Sequence, residues 1–180
     1  MVKRCNPAAL IKAFNFGDPF EEDPADAEVY YATLGRVFVM WGRFEQSLEQ
    51  LIAHLGNLLD APKLPPAPPR PLTGKLNAIS KLFRNTPSLG PLIPEALEIV
   101  KRAEDAAEAR NRLIHANWQG FDHDASELTM TFAKLGWDGL NSNPEKRDVS
   151  LSELESLARE THSLSAAVFR LMVNGSIRVS

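Results

Sequence analysis

The sequence predicts a mainly α fold: a four-helix bundle with a small β-hairpin inserted between the third and fourth helices. Two observations carry this reading. Apolar residues recur at steps of three, four or seven in four separate stretches, the period of one buried helix face. Between the third and fourth stretches the period drops to two, the signature of a half-buried strand. The chain has 180 residues, of which 44% are hydrophobic, enough for one core and therefore one domain.

Residues 1–22 read as an N-terminal arm. The arm carries Phe14, Phe16 and Phe20 without periodicity and ends in the acidic "DPFEED". Three aromatics in such a segment are expected to dock on the domain that follows, which spans 23–180. A long helix then starts where Asp23 caps, Pro24 fits the first turn, and Asp26 suits the positive end of the helix dipole. Its inward face is read as Leu34, Phe38, Trp41, Leu48, Ile52 and Leu55, and Glu45 falls on the same stripe.

The helix stops before "DAPKLPPAPPRPL", which holds six of the thirteen prolines. Residues 61–72 are thus expected to form an extended crossover between helices. A shorter helix follows over about Thr73–Arg84, with Leu76, Ile79, Leu82 and Phe83 inward. "NTPSLGP" ends it. The third helix starts near Pro91 or Pro94 and presents Ile93, Ala96, Leu97, Val100, Ala103 and Ala107, after which the same step lands on Arg110 and Ile114.

The hairpin is placed at 118–136: "WQGF" pairs with "ELTMTF", where Leu128, Met130 and Phe132 alternate with Glu127, Thr129 and Thr131. The last helix opens with Ser150 and Glu153 at capping-box spacing. It carries Leu154, Leu157, Leu164, Val168 and Leu171 on one face.

Composition narrows the function classes. A formal net charge of −3 excludes a generally basic nucleic-acid coat, though not a local positive cleft. The single cysteine, Cys5, makes no internal disulfide, which fits a reducing compartment. Lys12 interrupts the one short apolar run near the start, and no stretch reaches membrane-spanning length. A cytoplasmic location with no membrane association is expected.

Charges on buried stripes are the informative residues. Arg110 and Glu45 each interrupt an apolar face on a different helix, and an unpaired buried charge is costly. The economical expectation is that the two pair across the bundle, with Glu104 as a competitor. Asn111 and His115, four residues apart, share a helix face.

The string "ARNRLIHANW" resembles the signature of the HEPN superfamily, the higher eukaryotes and prokaryotes nucleotide-binding domains. That pattern is an arginine followed by a polar residue, with a histidine separated from the arginine by four to six intervening positions. Here Arg110 is followed by Asn111, with His115 at the short end of the range. The family carries the motif near the end of the third helix of a four-helix bundle, and "LGRVFVMWGRFEQSLEQLI" resembles a first helix with an acidic residue, here Glu45. Two features depart from the family. Asn117 stands where a toxin subgroup has a tyrosine two places beyond the histidine, and the hairpin insertion is not a core family element.

The resemblance implies a metal-independent endoribonuclease acting on single-stranded RNA, without cofactor. In this role His115 is general base or acid on the ribose 2′-hydroxyl, Arg110 stabilises the phosphate, and Asn111 orients them. The products are a 2′,3′-cyclic phosphate and a 5′-hydroxyl. Each role suits its residue: an imidazole titrates near neutrality, and a guanidinium offers a planar fork to phosphate oxygens. Glu45 is expected to support the site, and Arg112 and Trp118 to contact RNA. The resemblance further implies a homodimer with two motifs in one cleft, a toxin–antitoxin or phage-defence context, and a cognate antitoxin as partner. The alternatives are a non-catalytic HEPN-like module binding RNA, nucleotide or protein, and a purely structural helical bundle. "DHD", Asp122–Asp124, has no second ligand cluster, so no metal site is expected.

Overall fold

All four stretches of helical spacing are helices in the computed structural model of the chain, which describes residues 27–59, 68–114, 117–122, 129–135 and 144–179. The arm at 1–22, the capping residues Asp23, Pro24 and Asp26, linker residues 60–67, His115 and the "DHD" residues His123 and Asp124 lie outside the described residues. Helix α1 spans Ala27–Leu58, α2 Leu72–Asn85, α3 Ile93–Ile114 and α4 Leu151–Val179. A 3₁₀ helix, Pro87–Leu92, joins α2 to α3. Prolines at 87 and 91 break the helical path there, as "NTPSLGP" led us to expect.

Helix directions follow from contacts at the two ends. Tyr30 of α1 and Leu154 of α4 share one cluster, whereas Leu55 meets a Cβ built on Gly175 at 3.0 Å. α1 and α4 therefore run parallel. α3 runs against α4, because Arg102 reaches Glu160 while Leu113 packs with Leu154. Lys75 near the start of α2 bonds Glu45 of α1, which lies 13 residues, about 20 Å, before the end of that helix. The chain thus enters α2 well back along the bundle from the end of α1. It arrives tightly: a Cβ on Gly74 would stand 2.7 Å from the Cβ of Pro69, so only glycine fits beneath that proline.

The main core is filled by Phe44, Leu48, Leu51 and Leu55 of α1, Ile79 and Phe83 of α2, Leu89 of the 3₁₀ helix, and Leu164 and Leu171 of α4. Two inward assignments shift. Phe38 is 40% exposed; the buried line on α1 runs instead through Tyr30, Thr33, Val37, Trp41 and Phe44. On α3 the fully buried residues are Ala96, Ile99, Ala103, Ala106 and Leu113, while Ile93, Val100 and Ala107 are half-buried. α3 packs against both α2 and α4, so its buried stripe is broad, and Arg110 sits on it between Ala106 and Leu113.

The inserted hairpin is present, with β1, Asn117–Asp122, antiparallel to β2, Thr129–Leu135. A third strand, absent from the sequence reading, extends it: β3, Pro144–Ser150, pairs with the other edge of β2. Its run "PEKRDV" contains no alternation to detect. Charge on an edge strand opposes unwanted pairing, and Pro144 is tolerated as the first residue. Met130, Phe132 and Val149 turn inward onto Tyr30, Leu113 and Leu154, forming a second, smaller core. Phe121 meets Tyr30 and Tyr31 edge-on at 5.6 and 5.8 Å. The sheet thereby braces the junction where α3 ends and α1 and α4 begin.

The capping box is made as the spacing predicts. The Glu153 backbone N–H donates to Ser150 Oγ at 3.2 Å, and the Ser150 N–H donates to Glu153 Oε2 at 3.0 Å. The bond from the Ser150 backbone holds the Glu153 carboxyl below its ordinary range against the opposing effect of burial, and Arg147 reinforces it. Ser150→Ala is expected to cost about 1 kcal/mol, read as a fall of about 3 °C in the thermal midpoint.

Candidate functional site

Arg110 lies one turn before the end of α3, half-buried, with its guanidinium carbon 5.3 Å from the centroid of the Trp41 ring. Its Nη1 donates to Asn111 Oδ1 at 3.1 Å. Its Nε is buried and has no hydrogen-bond partner among the described residues. The expected ion pair with Glu45 is not formed. Glu45 is instead engaged by Lys75 at 2.7 Å and by the Trp41 indole N–H, also at 2.7 Å. The reason lies on α2: Lys75 is itself buried and needs the carboxylate more, since an ammonium cannot stack on an aromatic face as a guanidinium does.

Lys75 is the residue that sequence reasoning missed. It belongs to the step Leu72, Lys75, Ile79, Leu82, so its signal was the one that singled out Glu45 and Arg110. Its side chain is 3% exposed and lies 2.7 Å from both Glu45 and Glu49, one helical turn apart on α1. Burial alone would lower the Lys75 pKa; the bonds to Glu45 and Glu49 reverse this and raise it. Burial likewise would raise the Glu45 carboxyl, and bonds from Lys75 and Trp41, with the charges of Lys75 and Arg110, hold it below its ordinary value.

An adjoining face of α3 borders a cleft of about 1030 Å³ between α3, α4 and the sheet. Leu113, Phe132, Val149 and Leu154 form its apolar floor, and Asn111 and Arg112 stand on its rim. Three arginines line it, and each has a carboxylate: Arg102 with Glu160 at 2.8 Å, Arg112 with Glu108 at 3.4 Å, and Arg147 with Glu153 at 3.0 Å. Asn111 therefore links two surroundings. It lines the cleft while accepting the bond from Arg110.

Of the sequence-predicted site residues, Arg110, Asn111 and Glu45 come together around Trp41. Arg112 is exposed on the cleft side. His115 lies outside the described residues. The backbone of Trp118 sits in β1 opposite Phe132, and its side chain is likewise outside them. Among the described residues no group of three or more His, Cys, Asp and Glu side chains could hold a metal ion, and no helix is long and apolar enough to cross a membrane. His54 and Ser176, 2.9 Å apart, do not make a nucleophile and base, because the serine proton is given to Met172 O at 2.8 Å.

Comparison of the chain with protein-family models, with curated proteins and with solved structures gives no match.

Proposed function

We propose that the chain is a HEPN-type domain that cleaves single-stranded RNA without a metal ion, leaving 2′,3′-cyclic phosphate and 5′-hydroxyl ends. The observation that carries this reading is the state of the Arg110 guanidinium. It is held by a π face and a neutral amide, with no carboxylate within ion-pairing distance among the described residues. A guanidinium so held keeps its full charge and in-plane donors for phosphate oxygens. A purely structural reading required Arg110 to neutralise Glu45, and Lys75 fills that role.

In the proposed reaction His115 takes the proton of the ribose 2′-hydroxyl, and the resulting oxygen attacks the adjacent phosphorus. The bond between phosphorus and the 5′-oxygen breaks, the leaving oxygen takes a proton from water, and Arg110 stabilises the charge gathering on the phosphate. Asn111 fixes the guanidinium from one side. Two copies facing one another would double the local positive charge of a shared cleft, although the chain is acidic as a whole. A toxin–antitoxin or phage-defence role, with a cognate antitoxin as regulator, belongs to the same proposal.

The test is cleavage of a labelled single-stranded RNA in excess chelator by the parent chain, Arg110→Ala and His115→Ala. Cyclic-phosphate ends from the parent and from neither variant are expected. Cleavage that requires added metal, or that survives in both variants, refutes the reading.

A further inference from the structure

An arginine that must bind an anion faces a conflict. Its long side chain has to be ordered, yet the usual ordering partner, a carboxylate, cancels the charge and occupies the donors. The chain around Arg110 resolves this by a different arrangement. Trp41, 3% exposed, lies beneath the guanidinium at 5.3 Å. Its ring is fixed on two sides: the indole N–H donates to Glu45 at 2.7 Å, and Phe44 meets it edge-on at 5.6 Å. Glu45 is fixed in turn by Lys75, which Glu49 holds from its other side.

The geometry points to Trp41 as the positioning residue for anion binding by Arg110, with Glu45 and Lys75 as the lock that holds its ring in place. This deepens the proposed function and rests on Arg110 being its phosphate-binding residue. The ligand class is the phosphodiester of a single-stranded RNA. The attraction between a cation and a ring face orders the guanidinium from one side without neutralising it. An acceptor at the indole N–H polarises the ring and strengthens its negative face. The negative charge of Glu45 thus acts on Arg110 through space and through the ring but without an ion pair, which is spent on Lys75. Asn111, whose carbonyl takes one Nη1 proton, sets the rotation about the ring normal.

The experiment uses the full chain and a labelled single-stranded oligonucleotide in which every ribose carries 2′-O-methyl, so that binding is read without cleavage. Trp41→Phe keeps a π face and loses the N–H; Trp41→Leu loses the face altogether. The expected affinity loss is about threefold for Trp41→Phe and about tenfold for Trp41→Leu. Trp41→Leu combined with Arg110→Ala should bind no worse than Arg110→Ala alone, because the ring acts only through the guanidinium. With cleavable RNA, Trp41→Phe should lower kcat about threefold in the parent and not at all in an Arg110→Ala background, whereas a general weakening of the core would lower it in both.

A second readout is independent of RNA. The Arg110 Nε–H resonance, assigned from the spectrum of Arg110→Lys, should carry a ring-current shift in the parent that Trp41→Leu abolishes. Equal affinity of the parent and Trp41→Leu, with both folded by circular dichroism, overturns the inference while leaving the proposed function standing on Arg110→Ala. Equal affinity of the parent and Arg110→Ala overturns the proposed function. An unchanged Arg110 resonance in Trp41→Leu overturns the positioning role whatever the RNA measurements give.

Discussion

Arg110→Ala and His115→Ala are each expected to slow RNA cleavage by about 10²- to 10⁴-fold, and the two losses should differ in character. In the proposed reaction, loss of the imidazole removes the group that moves the proton, so the acidic limb of the pH–rate profile should vanish with it. Loss of the guanidinium removes charge stabilisation at the phosphate, which deepens as the reaction proceeds, so kcat should fall more than KM rises. Arg110→Lys is the sharper variant. It keeps the charge but neither the planar fork nor the fit to the Trp41 face, and a loss of about 10²-fold is expected.

Stability should move the other way from activity. The buried Nε of Arg110 lacks a partner among the described residues, and such a donor costs about 1–3 kcal/mol. Its removal in Arg110→Ala offsets the lost ring contact and packing. The thermal midpoint of Arg110→Ala should therefore lie within about 3 °C of the parent or above it. A variant that loses cleavage and unfolds together would mean that Arg110 serves the fold, not the phosphate.

How much of this was readable from the chain depended on whether a residue's neighbours were close in sequence. Helix existence and the capping box at Ser150 and Glu153 were legible because both are settled within one or two turns. The choice of face was less so. Phe38 fits the helical period of α1, yet the buried face of α1 runs through Val37 and Trp41. β3 was invisible because a strand written "PEKRDV", in which Arg147 and Asp148 are exposed beside buried Val149, has no period to read, and it is specified by pairing with β2.

The candidate site divides along the same line. That Arg110 and Glu45 are not ordinary solvated charges was legible from their stripe positions. Which charge meets which was not, since the partner came from α2 across the proline-rich crossover. Applying the stripe argument to all three charges leaves two cations for Glu45. Geometry then decides: an ammonium takes the carboxylate, and a guanidinium has the alternative of a ring face.

Lys75→Met tests that network through stability, with a loss of about 3 kcal/mol expected. Removing one partner from a buried ion pair commonly costs ~3–5 kcal/mol, and the lower end applies because Glu45 and Glu49 keep 29% and 46% of their side-chain surface in solvent. The thermal midpoint should fall by about 9 °C. Adding Glu45→Gln and Glu49→Gln to Lys75→Met should recover most of this, because the cost lies in the stranded carboxylates and not in the missing ammonium.

The same network sets the pH limits of its contribution. The folded-state pKa of Glu45 is depressed below 4.5, so its stabilisation is present above that value and is lost as the pH falls through the folded pKa. The Lys75 pKa is raised above 10.5, so its stabilisation is complete below that value and is lost as the pH rises through the folded pKa. Between these limits the parent should exceed Lys75→Met by a constant margin. Below pH 4.5 the margin should narrow, because the unfolded chain takes up a proton that the ion pair keeps off Glu45 in the folded parent. Thermal unfolding of both proteins at pH 7 and at pH 3 decides it: an equal gap at the two values would mean that Lys75 acts by packing its stem and not through its charge.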